Sequence, residues 1–126
     1  MKRTGISIML LLATLFIYSC GSEYTKAEAS DKSAEVYCNK IFTCKEGEPI
    51  RVYMGGTEEK CSAQLKKEDD SYNCENGKFD GALAYDCINC IDDLSCSEFI
   101  KDGKTNNDLG KLCPACKELD DICKPN

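Results

Sequence analysis

Histidine is absent from this 126-residue chain, so the commonest general base of enzyme active sites is missing. The short signatures of catalysis and nucleotide handling are missing too: there is no G-x-S-x-G elbow, no P-loop and no glycine-rich dinucleotide fingerprint. Large apolar side chains are scarce. Residues 31–126 hold six Leu, six Ile, two Val and three Phe, under a fifth of that stretch. Together with an excess of negative charge, this approaches the composition of disordered proteins. A stable core made from those side chains alone is therefore not expected. Long apolar runs are lacking as well, because the run from Ile6 to Ile17 falls short of the roughly 20 residues that cross a bilayer.

What the chain does have is cysteine, eleven in all, and their meaning depends on the N-terminus. Lys2 and Arg3, the apolar run and small Ser19 before Cys20 make up the three parts of a secretory signal. The stretch Ile17-Tyr18-Ser19-Cys20-Gly21 resembles the lipobox of bacterial lipoproteins, although Tyr18 stands where a small or aliphatic residue is usual. That resemblance implies cleavage before Cys20, acylation of Cys20 with palmitate-like chains, and a place on the cell envelope. Gly21 rather than Asp after the cysteine implies the outer membrane, if the sorting habit of enteric-type bacteria applies. Each buried methylene contributes about 0.8 kcal/mol, and two or more chains give a stable anchor.

Removal of residues 1–19 leaves 14 basic against 22 acidic residues, a net charge of −8. Such a chain is repelled by nucleic acid and by anionic lipid surfaces. It also leaves ten cysteines beyond Cys20: Cys38, Cys44, Cys61, Cys74, Cys87, Cys90, Cys96, Cys113, Cys116 and Cys123. An even set at this density in a secreted chain reads as a disulfide scaffold of up to five bridges. The count is even only when Cys20 is set apart. Pairing is not fixed by spacing, but Cys87 and Cys90 lie side by side in a helical stretch, so each is expected to bridge to another element rather than to its neighbour.

Along the mature chain, residues 21–30 are small and polar and read as a flexible tether, with the domain starting near Asp31. Ala34, Tyr37, Cys38, Ile41 and Cys44 follow helical spacing, with Ser30 or Asp31 as cap and Gly47 as stop. Residues 48–56 alternate Ile50, Val52 and Met54 with Arg51 and Tyr53, which suits an extended connection. Thr57 caps a second helix carrying Cys61 and Leu65 and ending near Lys67. Residues 66–78 read as a loop held by Cys74, with a turn signal at Asn76-Gly77. Asp80 caps a helix whose stripe is Leu83, Cys87, Cys90 and Leu94. A further turn covers residues 96–101 and a loop residues 102–107. The last helix begins near Cys113 with Pro114 in its first turn and frays at Pro125. Cys87, Cys90 and Cys96 repeat loosely as Cys113, Cys116 and Cys123, pointing to short helices cross-linked side to side.

Three groups of residues suggest chemistry. Cys113-Pro114-Ala115-Cys116 resembles the active-site motif of thioredoxin-like oxidoreductases, in which a helix N-terminus lowers a thiol pKa. Here it lacks the preceding parallel-strand pattern and the cis-proline loop. Cys87, Cys90, Cys113 and Cys116 approximate a four-cysteine zinc site, but disulfides are the expected state of these thiols in an oxidising compartment. Residues 102–108 fit a calcium loop poorly, with Lys104 at the third position and Cys113 at the twelfth. The acidic cluster Glu68-Asp69-Asp70 reads as a solvated loop.

The expectation is thus a signal peptide at 1–19, a lipidated N-terminus and flexible tether at 20–30, and at 31–126 a small, mostly α-helical, disulfide-rich domain of about four short helices. The whole resembles small cysteine-rich bacterial lipoproteins. That resemblance implies a non-enzymatic, membrane-anchored binding or surface module for a protein or other envelope ligand, with no cofactor and no metal. The alternative is a periplasmic thiol-disulfide oxidoreductase using Cys113 and Cys116.

Overall fold

A computed structural model describes residues 22–69, 74 and 79–123, with the backbone alone at Glu68 and Asp69. Cys20, the lipobox, the Asn76-Gly77 signal and Pro125 lie outside the described residues. The domain is mostly helical, as expected. Its four longer helices are α1 (Lys26–Thr43), α3 (Glu58–Asp69), α4 (Gly81–Asp93) and α7 (Pro114–Ile122). Three single-turn helices complete the set of seven among the described residues: α2 (Glu48–Arg51), α5 (Cys96–Phe99) and α6 (Leu109–Leu112).

The first helix departs from the sequence reading, because it begins at Lys26 rather than near Asp31. Thr25 and Glu28 form a capping box: Thr25 Oγ1 accepts from the Glu28 amide at 3.2 Å, and Glu28 Oε2 accepts from the Thr25 amide at 2.8 Å. The tether expectation therefore fails from Lys26 onward. Asp31, expected as a cap, lies inside the helix and meets Lys66 Nζ of α3 at 3.1 Å. The predicted inner face holds, with Ala34, Cys38 and Ile41 buried along α1 and Cys44 at its C-cap.

That C-terminus is closed by a residue from α2. Arg51 donates from Nε to the Ile41 carbonyl at 3.0 Å and from a terminal nitrogen to the Cys44 carbonyl at 2.8 Å, and its guanidinium lies over the Phe42 ring. These are carbonyls that a helix end leaves without intrahelical partners, and a cation is favourable there. Replacement of Arg51 by Ala is expected to cost about 2 kcal/mol in a denaturant titration, since bonds to charged groups contribute about 1.5–3 kcal/mol. Arg51→Lys should recover less than half of the loss, because an ammonium lacks the guanidinium fork. An unchanged midpoint for Arg51→Ala would show that the cap is dispensable.

Residues 48–56 are helical and turn-like rather than extended. Pro49 sits in the first turn of α2, where its missing N–H costs nothing. Ile50 and Met54 pack against the core, whereas Val52 and Tyr53 are 78% and 82% exposed. The apolar pair that matters is four apart, not two. Gly47 is needed here for a close approach, since a Cβ would collide with the Ile41 carbonyl.

Thr57 and Asp80 cap their helices as expected, accepting from Lys60 N at 3.3 Å and Leu83 N at 2.9 Å. Helix α3 runs to Asp69, so Glu68 and Asp69 belong to a helix rather than to the expected loop. On α4 the buried positions are Ala84, Cys87, Ile88 and Ile91; Leu83, Cys90 and Leu94 are half-buried, so the stripe is rotated slightly from the sequence reading. A second capping box, Ser95 with Glu98, starts α5. The hydrogen bonds from Ser95 to its carboxylate hold Glu98 below the usual carboxylate range. The expected loop at 102–107 contains a two-residue hairpin turn between β1 (Ile100–Lys101) and β2 (Lys104–Thr105), with positive φ at Asp102 and Gly103.

Helix α1 packs chiefly on α3 and α4, and α4 packs on α7. One core cluster joins Ile41, Ile91, Phe99 and Ile100 to the cysteines, and a smaller one holds Ala29, Ala84 and Ile88. Of the sixteen buried apolar residues among those described, eight are cysteines. The disulfides therefore occupy the space that aliphatic side chains fill in other small domains.

Candidate functional site

All ten cysteines of the scaffold are paired, in five bridges that each join different segments. Cys38 bonds Cys61 and ties α1 to α3. Cys44 bonds Cys96 and ties the end of α1 to the start of α5. Cys74 bonds Cys123 at the end of α7.

The remaining four cysteines form a ladder. Cys87 bonds Cys116, with Cα atoms 4.6 Å apart, and Cys90 bonds Cys113 at 5.7 Å. Residues three apart share one face of a helix. Two C-x-x-C segments facing each other across antiparallel helices therefore put four sulfurs in register as two rungs. Neither Cys87–Cys90 nor Cys113–Cys116 is a bridge. The quartet read as a zinc-site approximation does converge, but its sulfurs are joined to one another. Among the described residues, no group of three or more His, Cys, Asp or Glu side chains is arranged to hold a metal ion.

Cys113 does stand at the N-cap of α7, with Pro114 in the first turn, as the C-P-x-C resemblance requires. Its sulfur, however, is fully buried and bonded to α4. The polar groups of the poor calcium-loop match bind the protein itself: Asn106 Nδ2 donates to the Glu98 carbonyl at 2.8 Å, and Asp108 pairs with Lys111 at 2.8 Å.

Sequence reasoning missed a cleft. Helices α1 and α7 both pack on α4 and far less on each other, which leaves a groove of about 660 Å³ over α4. Its lining is apolar along Ala29, Phe79, Ala84, Ile88, Ile91 and Leu119. Lys26 and Asp120 add opposite charges to that lining. Partial burial and the neighbouring Asp121 push the Asp120 carboxyl above its ordinary pKa. The volume lies within the range of small-molecule sites, about 300–1,000 Å³. The alanines at 29 and 84 were the available signal, since small residues on facing helices leave room that larger ones would fill.

No family model matches the chain, and neither the curated proteins nor the solved structures yield a match. No helix among the described residues is long and apolar enough to cross a membrane.

Proposed function

We propose that this chain is a cell-envelope lipoprotein, anchored to the outer membrane through acylated Cys20, whose disulfide-locked helical head is a non-enzymatic binding module. The observation that carries the reading is the cysteine count. Five bridges take up all ten cysteines of the head and leave one, Cys20, at the stretch that resembles a lipobox. A thiol left over in an exported chain calls for its own explanation, and acylation supplies it.

The cleft over α4 offers the concave apolar surface that a binding role needs. A thiol-disulfide enzyme acting through Cys113 and Cys116 would need those two sulfurs to pair with each other during turnover. Each instead holds α7 to α4, which supports the non-enzymatic reading. Metabolic labelling with a palmitate analogue tests the anchor. Label is expected in the wild-type chain and absent from Cys20→Ala, and equal labelling of both would remove the premise.

A further inference from the structure

We infer that the face formed by Tyr24 and the N-terminal end of α4 lies against the lipid headgroups of the leaflet that carries Cys20, with no spacer between head and membrane. The inference rests on acylation of Cys20 as proposed above.

The chain is held from Tyr24 onward. The Tyr24 amide donates to the Gly81 carbonyl at 3.1 Å, and the Tyr24 and Tyr85 rings lie 5.2 Å apart, tilted by 49°. Gly81 permits this approach, because a Cβ there would collide with the Tyr24 carbonyl. Thr25 then caps α1. Only Gly21, Ser22 and Glu23 separate Cys20 from this fixed point. Four residue steps reach at most about 14 Å, half the length of α1, whose 18 residues span about 27 Å.

Acyl chains on Cys20 place its backbone in the headgroup layer, roughly 5–8 Å thick. The leash is shorter than the head, so the head cannot turn its far end to the membrane. Tyr24 and Tyr85 are each half-buried and present the amphipathic rings that favour a membrane–water interface. Local charge does not hold this face down, since Glu23, Glu28 and Asp80 outnumber Lys26. The short leash does. The opposite pole is marked by Tyr53, 82% exposed and two residues after Arg51, which bonds the carbonyls at the C-terminal end of α1.

The chain contains no tryptophan, so one introduced indole reports on one place. The full lipidated chain carrying Tyr85→Trp, or Tyr53→Trp, is reconstituted into phosphatidylcholine vesicles containing a lipid with a nitroxide on its headgroup. Circular dichroism confirms folding, and Tyr24→Trp is the second reporter should Tyr85→Trp not fold. Vesicle-bound Tyr85→Trp is expected to lose more than half of its emission relative to nitroxide-free vesicles, while Tyr53→Trp keeps nearly all of its own.

A Gly/Ser insertion of about 20 residues after Ser22, with a mean span of about 25 Å, should restore the emission. Protein that floats with the vesicles but shows no quenching at Tyr85 or Tyr24 overturns the inference while leaving the anchor intact. Quenching that survives the insertion overturns the leash as its cause. Protein that does not float overturns the anchor, and the inference with it.

Discussion

Reduction of all five bridges is expected to unfold the head, with loss of its helical circular dichroism and of its resistance to protease under otherwise native conditions. Two effects combine. The bridges close loops of 23, 23, 29, 49 and 52 residues. In the chain-entropy account, each such closure removes about 3–4 kcal/mol of unfolded-state freedom. These contributions do not simply add, but a domain of this size is held by only about 5–15 kcal/mol in total, so even part of the sum exceeds the margin. The second effect is packing. Half of the buried apolar residues among those described are cysteines, and ten separate thiols need more room than five sulfur–sulfur bonds in the same places. Few large aliphatic residues remain to hold the helices together. A fully reduced sample that kept its native spectrum and protease resistance would overturn this account of the fold.

The largest effect expected from a single substitution in the oxidised head is at Phe99. Its side chain is completely buried, and its ring meets Tyr37 of α1 at 5.1 Å in an edge-on arrangement of 76°. It is the last residue of the short α5, which Cys96 ties to Cys44 at the end of α1. The bridge therefore fixes where the ring enters the core, and the cavity left by truncation cannot readily collapse. Phe99→Ala is expected to cost about 3–5 kcal/mol. Each kcal/mol lowers the melting temperature of a domain this small by about 4–8 °C, so the midpoint should fall by at least about 12 °C. Phe99→Leu keeps most of the volume and should cost under about 1.5 kcal/mol. Thermal melts of the oxidised variants check both values, and a loss below about 1 kcal/mol for Phe99→Ala would show that the core does not depend on this ring.

Much of the helical layout was legible in the residues because local chemistry decides it. Thr57 and Asp80 mark helix starts through bonds made within one turn, Pro114 through a fixed φ and a missing N–H that the first turn does not need, and the spacing of Cys38 and Ile41 marks a buried face. The misreadings have equally specific causes. The capping box at Thr25 and Glu28 was visible, but the turns it starts bury only Ala29 and Ala34, so apolar periodicity is faint there. In residues 48–56 Ile50, Val52 and Met54 satisfy a spacing of two while Ile50 and Met54 alone satisfy a spacing of four, and packing against the core chose the pair. The Asp102-Gly103 turn is a strong hairpin signal on strands of two residues each, too short to show any alternation. The full cysteine pairing and the cleft depend on which helices become neighbours, so the residues gave only a part of each: that Cys87 and Cys90 bridge to another element, and small alanines at 29 and 84 where the groove opens.

The pairing divides the head in a way that no single bridge reveals. Two bridges join α1 to α3 and α5; the other three join α4, α7 and Cys74. No sulfur–sulfur bond crosses from the first set to the second. The double rung between α4 and α7 prevents those helices from sliding or rolling on each other, so the floor and one wall of the cleft form a single stiff piece. Its other wall, α1, belongs to the other piece. The groove thus lies along the one seam that the covalent staples leave unsewn, and its width is set by side-chain packing and by hydrogen bonds across the seam, from the Tyr24 amide to the Gly81 carbonyl and from Lys40 Nζ to the Leu94 carbonyl. A guest that pries the two halves apart works only against those noncovalent contacts and leaves every bridge intact.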